Sequence, residues 1–147
     1  MGLRTRLPER SQGDDEEIGP LRVLLVDDDA GLIKSLTKAL EARGMTVLSA
    51  GTAADALALI ADPAVGIDIV VMDLVLPDSW GSQVAMEQTL YRPDVPVVYI
   101  SGYARGDAVL AASTIGDVGP FLEKPFTPDE LVKLIRRVAH ERTTDEG

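Results

Sequence analysis

The sequence predicts an α/β domain, a doubly wound sheet of five parallel strands with helices on both faces. Three observations carry this. Apolar runs too short for helices recur five times, helix-compatible segments stand between them, and the connections are short. Regular alternation of strand and helix calls for parallel pairing with crossover helices.

The elements follow in order. Residues 1–20 are polar, mixed in charge and aperiodic, and are expected to form a disordered arm before a domain spanning 21–141. Val23-Leu24-Leu25-Val26 reads as a buried strand that ends at Asp27-Asp28-Asp29. Leu32, Ile33, Leu36, Ala39 and Leu40 then recur with helical spacing, with Asp29 as N-cap and Gly44 as the stop. Met45 to Ala50 is the second strand. Thr52-Ala53-Ala54-Asp55 starts a helix through Ala56, Leu57 and Ile60 that Asp62-Pro63 breaks. Ile69-Val70-Val71-Met72 is the central strand. It meets Asp73 and closes before Pro77 and Gly81, residues that suit a turn and not a ladder. A weaker helix is expected from Ser82 to Tyr91. Val97-Val98-Tyr99-Ile100 is the fourth strand, ending on Ser101-Gly102, and a helix with Gly106 inside it is expected over 104–113. Phe121-Leu122-Glu123 is a short fifth strand before Lys124-Pro125. Thr127-Pro128-Asp129-Glu130 opens the last helix, whose buried face is Leu131, Leu134, Ile135 and Val138. Residues 142–147 read as a polar tail, with His140 as a solvated cap at the helix end.

Composition narrows the function. A formal net charge of -10 in 147 residues disfavours a nucleic-acid surface, since phosphates would be repelled. The same excess leaves acid for a cation site. There is no cysteine, which excludes disulfides and thiolate metal sites. No apolar run approaches a membrane span and the N-terminus lacks a signal-peptide core, so a soluble cytoplasmic protein is expected.

Four of the five strands deliver a polar residue to one edge of the sheet: Asp27 and Asp28, Asp73, Ser101, and Lys124. In a parallel sheet these carboxyl ends lie on one side, where ligands bind. Singly, each has an ordinary reading as a cap, a turn residue or a surface lysine. Jointly they form a pocket. Three neighbouring carboxylates repel one another unless a cation or proton intervenes, and oxygen ligands with room for water suit Mg²⁺. A lysine and a hydroxyl beside them suit a phosphoryl group, with Asp73 as the candidate nucleophile.

The segments LLVDDD, VVMDLVLPDSWG, VVYISGYA and FLEKPF resemble those of bacterial two-component response-regulator receiver domains, over about Leu21 to His140. The resemblance implies a flavodoxin-like fold with strand order 2-1-3-4-5. It implies that Asp73 accepts a phosphoryl group from a sensor histidine kinase or a histidine phosphotransfer protein. Mg²⁺ would be held directly by Asp28, Asp73 and the backbone carbonyl of Val75, with Asp27 acting through water. Lys124, Ser101 and Gly102 would bind the phosphoryl group, Ser101 and Phe121 would form the switch, and the Lys124–Pro125 bond would be cis. A homodimer through the fourth helix, fifth strand and last helix is also within what the family does.

Departures from the family pattern are few. Asp29 is a third acid, expected to cap and not to ligate. Trp80 is unusual in its loop and reads as a partner contact or a lid over apolar surface. Ser101 stands where Thr is commoner. An aspartyl-nucleophile phosphatase is the rival reading, but that chemistry wants an acid two residues after the nucleophile, and Val75 is there. An unphosphorylated scaffold of the same fold is disfavoured by Asp28, Asp73 and Lys124 together. Too few residues follow the last helix for a winged helix, so output by protein contact to an unknown target is expected. The domain is expected not to be an enzyme beyond its own phosphorylation and slow dephosphorylation.

Overall fold

The computed structural model describes residues 20–102 and 120–146, with side chains through Glu141. The helix expected at 104–113 and residues 1–19 of the arm expected over 1–20 lie outside the described residues. In order, the elements are β1 (Arg22–Val26), α1 (Ala30–Glu41), β2 (Thr46–Ala50), α2 (Ala53–Ala61), β3 (Ile69–Asp73), α3 (Gly81–Tyr91), β4 (Val97–Ser101), β5 (Phe121–Glu123) and α4 (Pro128–Glu146). The strands form one sheet in the order β2-β1-β3-β4-β5, and every pairing is parallel.

Strand alternation sorts the apolar side chains into two cores. Val23, Leu25, Ile69, Val71, Val98 and Ile100 face α1 and α4, meeting Leu36, Leu40, Leu131 and Ile135. Leu24, Val26, Val70, Met72 and Tyr99 face the other way, onto Ala53, Ala56 and Ile60 of α2 and Val84 of α3. All five residues of β3 are buried, as its unbroken apolar run requires. Burial of Tyr99 pushes its phenol up to about 12, because the anion would lose its water.

The helix starts follow the local sequence. Asp29 caps α1 by accepting from the Leu32 amide at 3.0 Å, and Thr52 caps α2 by accepting from Asp55 at 3.1 Å. Thr127 and Glu130 bond each other's amides reciprocally at the start of α4. Gly44, with φ of 87°, ends α1 in the left-handed region that glycine tolerates.

The weaker helix expected from Ser82 to Tyr91 is present as α3, one residue longer at its start, and α4 runs longer than expected. Helix α3 has little amphipathic pattern: Gln88 is buried and donates to the Val95 carbonyl at 2.9 Å, while Met86, Leu90 and Tyr91 are exposed. It starts on Trp80, which supplies no capping bond. Helix α4 runs to Glu146, past His140, where its end is expected, since no Gly or Pro interrupts residues 129–146. His140 is therefore a half-buried residue within the helix and not a solvated cap at its end.

Gly81 fixes how the chain leaves β3. A β-carbon there would lie 2.1 Å from the Asp73 carbonyl oxygen and 2.8 Å from Met72 Cγ. Only a glycine lets α3 start this close to the strand end. Gly81→Ala is expected to lose about 1–3 kcal/mol of stability, the range of a small-to-large change in a packed site. Urea unfolding measures it; a loss below about 0.5 kcal/mol, the scale of a neutral surface change, would mean that this approach is not constrained.

Candidate functional site

The parallel sheet brings four strand ends to one edge. Asp27 follows β1 directly, its amide donating to the Ala50 carbonyl at 3.1 Å. Asp73 and Ser101 are the last residues of β3 and β4. Lys124 follows β5, its amide donating to the Ser101 carbonyl at 2.7 Å, and its bond to Pro125 is cis. Oxygens of Asp27, Asp28 and Asp73 lie within 4.8 Å of one another.

The side chains are held differently. Asp27 is 2% exposed, with one oxygen accepting from the Asp29 amide at 2.9 Å and the other from Lys124 Nζ at 2.8 Å. Asp73 is 6% exposed; Oδ1 accepts from the Val75 amide at 3.0 Å and Oδ2 from Lys124 Nζ at 3.2 Å. Asp28 is exposed, and Ser101 is buried. One ammonium thus bridges two buried carboxylates while a third carboxylate stands open to solvent beside them. A cavity of about 260 Å³ opens over Asp73, Val75, Ser101 and Gly102. Phe121, opposite Tyr99 in register, is half-buried against the core on the α2 and α3 side.

Burial raises the Asp73 pKa above the ordinary carboxylate value; the Val75 amide opposes this, the Asp27 charge adds to it, and Lys124 opposes it. For Lys124, burial disfavours the charge, but bonds and attraction from Asp27 and Asp73 outweigh burial and raise its pKa. Asp29 caps α1 and lies outside the three-acid cluster. Trp80 is 40% exposed and pairs with Val75 as an isolated antiparallel bridge, at the rim of the loop.

One loop residue escaped the sequence reading. The Asp78 carboxylate accepts from the Ala53 and Ala54 amides at 2.7 and 3.1 Å, tying the β3–α3 loop to the start of α2. After Pro77 it looks like any turn aspartate. Its partners lie 25 and 24 residues away, and no local pattern announces them.

The fold and cluster define a class, doubly wound proteins with an acid-and-lysine pocket on the carboxyl edge of the sheet. The chain belongs to the response regulator receiver domain family, which it matches over residues 23–136. It is 35% identical over 121 residues to the C4-dicarboxylate transport transcriptional regulatory protein DctD of Rhizobium meliloti (strain 1021), covering 82% of this chain and 25% of that one. It is 32% identical over 120 residues to the sensor kinase CckA of Brucella abortus (strain 2308), covering 82% of this chain and 13% of that one. The chain thus spans a quarter or less of these relatives. Among solved structures, a CheY-like receiver domain protein from Methanospirillum hungatei JF-1 aligns with TM-score 0.76 and 27% identity, over 86% of this chain and 99% of that one. The non-phosphorylated HemR receiver domain from Leptospira biflexa aligns with TM-score 0.69 and 33% identity, over 81% and 94%.

Replacing Lys124 by Met leaves two buried carboxylates without their shared partner. The expected loss of stability at neutral pH is about 2–4 kcal/mol, the scale of breaking a largely buried pair. Lys124 holds the Asp73 pKa down, so its removal raises that pKa further. The folded variant then binds the proton more tightly than the unfolded chain does, and its deficit should narrow as pH falls through the Asp73 pKa. Urea melts of both proteins across the acid range check this; a deficit that widens on acidification contradicts it.

Proposed function

We propose that this protein is the phosphoacceptor module of a two-component phosphorelay, with Asp73 receiving a phosphoryl group from a phosphohistidine. The donor is a sensor histidine kinase or a histidine phosphotransfer protein. One observation carries the reading: Asp73 ends the central strand, bonded to Lys124, with Asp27 and Asp28 beside it and a cavity open above it. In the transfer, a carboxylate oxygen of Asp73 attacks phosphorus. The O–P bond forms as the N–P bond of the donor breaks, and the imidazole nitrogen keeps that electron pair. Lys124 holds a positive charge next to the incoming phosphoryl oxygens, and the Ser101 hydroxyl can donate to one of them.

The donor set fits Mg²⁺, since all three side chains offer oxygen, one of them solvent-facing, and their charge exceeds that of the single lysine. Asp28, Asp73 and the Val75 carbonyl would hold it directly and Asp27 through water; when bound, the ion neutralises charge on the phosphoryl oxygens. In dephosphorylation a water attacks phosphorus and the Asp73 oxygen leaves, releasing inorganic phosphate. Val75 has no group to orient that water, so the self-catalysed loss is slow and the module turns over no separate substrate. Phosphorylation then draws Ser101 towards the new group and turns Phe121 further inward, changing a surface read by a downstream protein or by a second copy of the chain. Such signalling places the protein in the cytoplasm, and its acidity favours protein over nucleic acid as the target.

Incubation with Mg²⁺ and acetyl phosphate should add one phosphoryl group, seen by intact mass, and Asp73→Asn should add none. An undiminished adduct on that variant overturns the assignment. At Mg²⁺ about tenfold above its Kd the parent should gain roughly 1.4 kcal/mol of stability, and Asp28→Ala should lose most of that gain. A full Mg²⁺-dependent gain in Asp28→Ala contradicts the ligand set.

A further inference from the structure

The β3–α3 loop is a small closed hairpin. The Val75 amide donates to Asp73, the Leu76 amide to the Ser79 carbonyl at 3.0 Å, and the Gly81 amide back to the Leu74 carbonyl at 2.8 Å. Val75 and Trp80 face each other across it. These bonds give the hairpin its shape, but they lie within the loop and at its base. The tip is tied elsewhere. Asp78 reaches the N-terminus of α2 and takes two of its unpaired amides, Ala53 and Ala54, while Thr52 takes the next, Asp55. Those two amides hold the Asp78 carboxyl below the ordinary carboxylate pKa. The start of α2 is packed into the core, Ala53 being 4% exposed, so the anchor is a fixed one.

We propose that Asp78 is a positioning residue for the phosphoacceptor site: it clamps the loop tip to α2 and so fixes the Val75 backbone, setting the affinity for the divalent cation. This rests on the reading of Asp28, Asp73 and the Val75 carbonyl as the cation site. Asp78 touches none of the acids and no phosphoryl group. It acts through the two intervening residues, Leu76 and Pro77, of which Leu76 is buried and transmits the restraint. Mg²⁺ demands near-ideal octahedral geometry, so the Val75 carbonyl would have to stay within about a few tenths of an ångström of one position to hold it.

Thr52 provides the control. Thr52→Ala and Asp78→Ala each remove a capping acceptor from the same helix end, so both weaken α2, but only Asp78→Ala releases the loop. Titration of Mg²⁺ by calorimetry on the full chain should show a Kd about tenfold weaker in Asp78→Ala, the scale seen when a residue that orients a metal ligand is lost. Thr52→Ala should stay within about twofold of the parent, and Asp78→Asn, keeping one acceptor oxygen, should fall between the two alanine variants. Hydrogen exchange without metal should show faster exchange at Val75 and Gly81 in Asp78→Ala and not in Thr52→Ala. If the parent binds Mg²⁺ and Asp78→Ala binds it equally well, the positioning role is overturned while the cation site stands. If Thr52→Ala weakens binding as much, the effect is general loosening of α2 and the role is again overturned. If the parent binds no Mg²⁺, the cation reading falls and this inference with it.

Discussion

Lys124 is the residue on which the site depends. Two carboxylates buried to 2% and 6% exposure face the same point, and each would cost several kcal/mol to keep there unpaired. Its ammonium, 2.8 Å from one and 3.2 Å from the other, makes that arrangement tolerable. The fold supplies the geometry: the backbone of Lys124 is bonded to Ser101 at the end of β4, and β4 pairs with β3 beside Asp73, so the sheet sets the lysine, the hydroxyl and the central carboxylate side by side.

The compensation is incomplete. Three carboxylates against one ammonium leave about two negative charges when all are ionised, and a phosphoryl group would bring about two more. Such a cluster favours a divalent cation and binds a phosphoryl group poorly without one. The pKa of Asp73 is raised chiefly by its burial, with the Asp27 charge adding to it. A fully neutralised cluster would be more stable and would have less reason to take up a metal or to respond to a new charge.

Much of this was legible in the sequence because it depends on short-range rules. The strands are visible as apolar runs, and the polar residues ending four of the five runs identify the shared edge. Asp29, Thr52 and Thr127 could be placed because a cap is read within three residues of itself. What stayed hidden depends on distance along the chain. Arg92 closes the end of α2, donating to the carbonyls of Ile60, Asp62 and Val65 at 2.8, 2.8 and 2.7 Å. Helix α2 has no glycine stop, and its missing partner arrives from the far end of α3. Asp78 is the same kind of case at the other end of α2. The extent of α4 is hidden for a different reason: polar Thr143 and Thr144 look like a tail, yet neither breaks a helix begun by a strong capping box.

The role given to Asp73 depends on which atom carries the phosphoryl group. Borohydride reduction of the protein after exposure to acetyl phosphate and Mg²⁺, followed by tandem mass spectrometry, converts an aspartyl phosphate to homoserine and locates it. Homoserine at position 73 alone is the predicted result. Homoserine at position 27 or 28 instead, or an adduct that borohydride leaves intact, would contradict the central role given to Asp73.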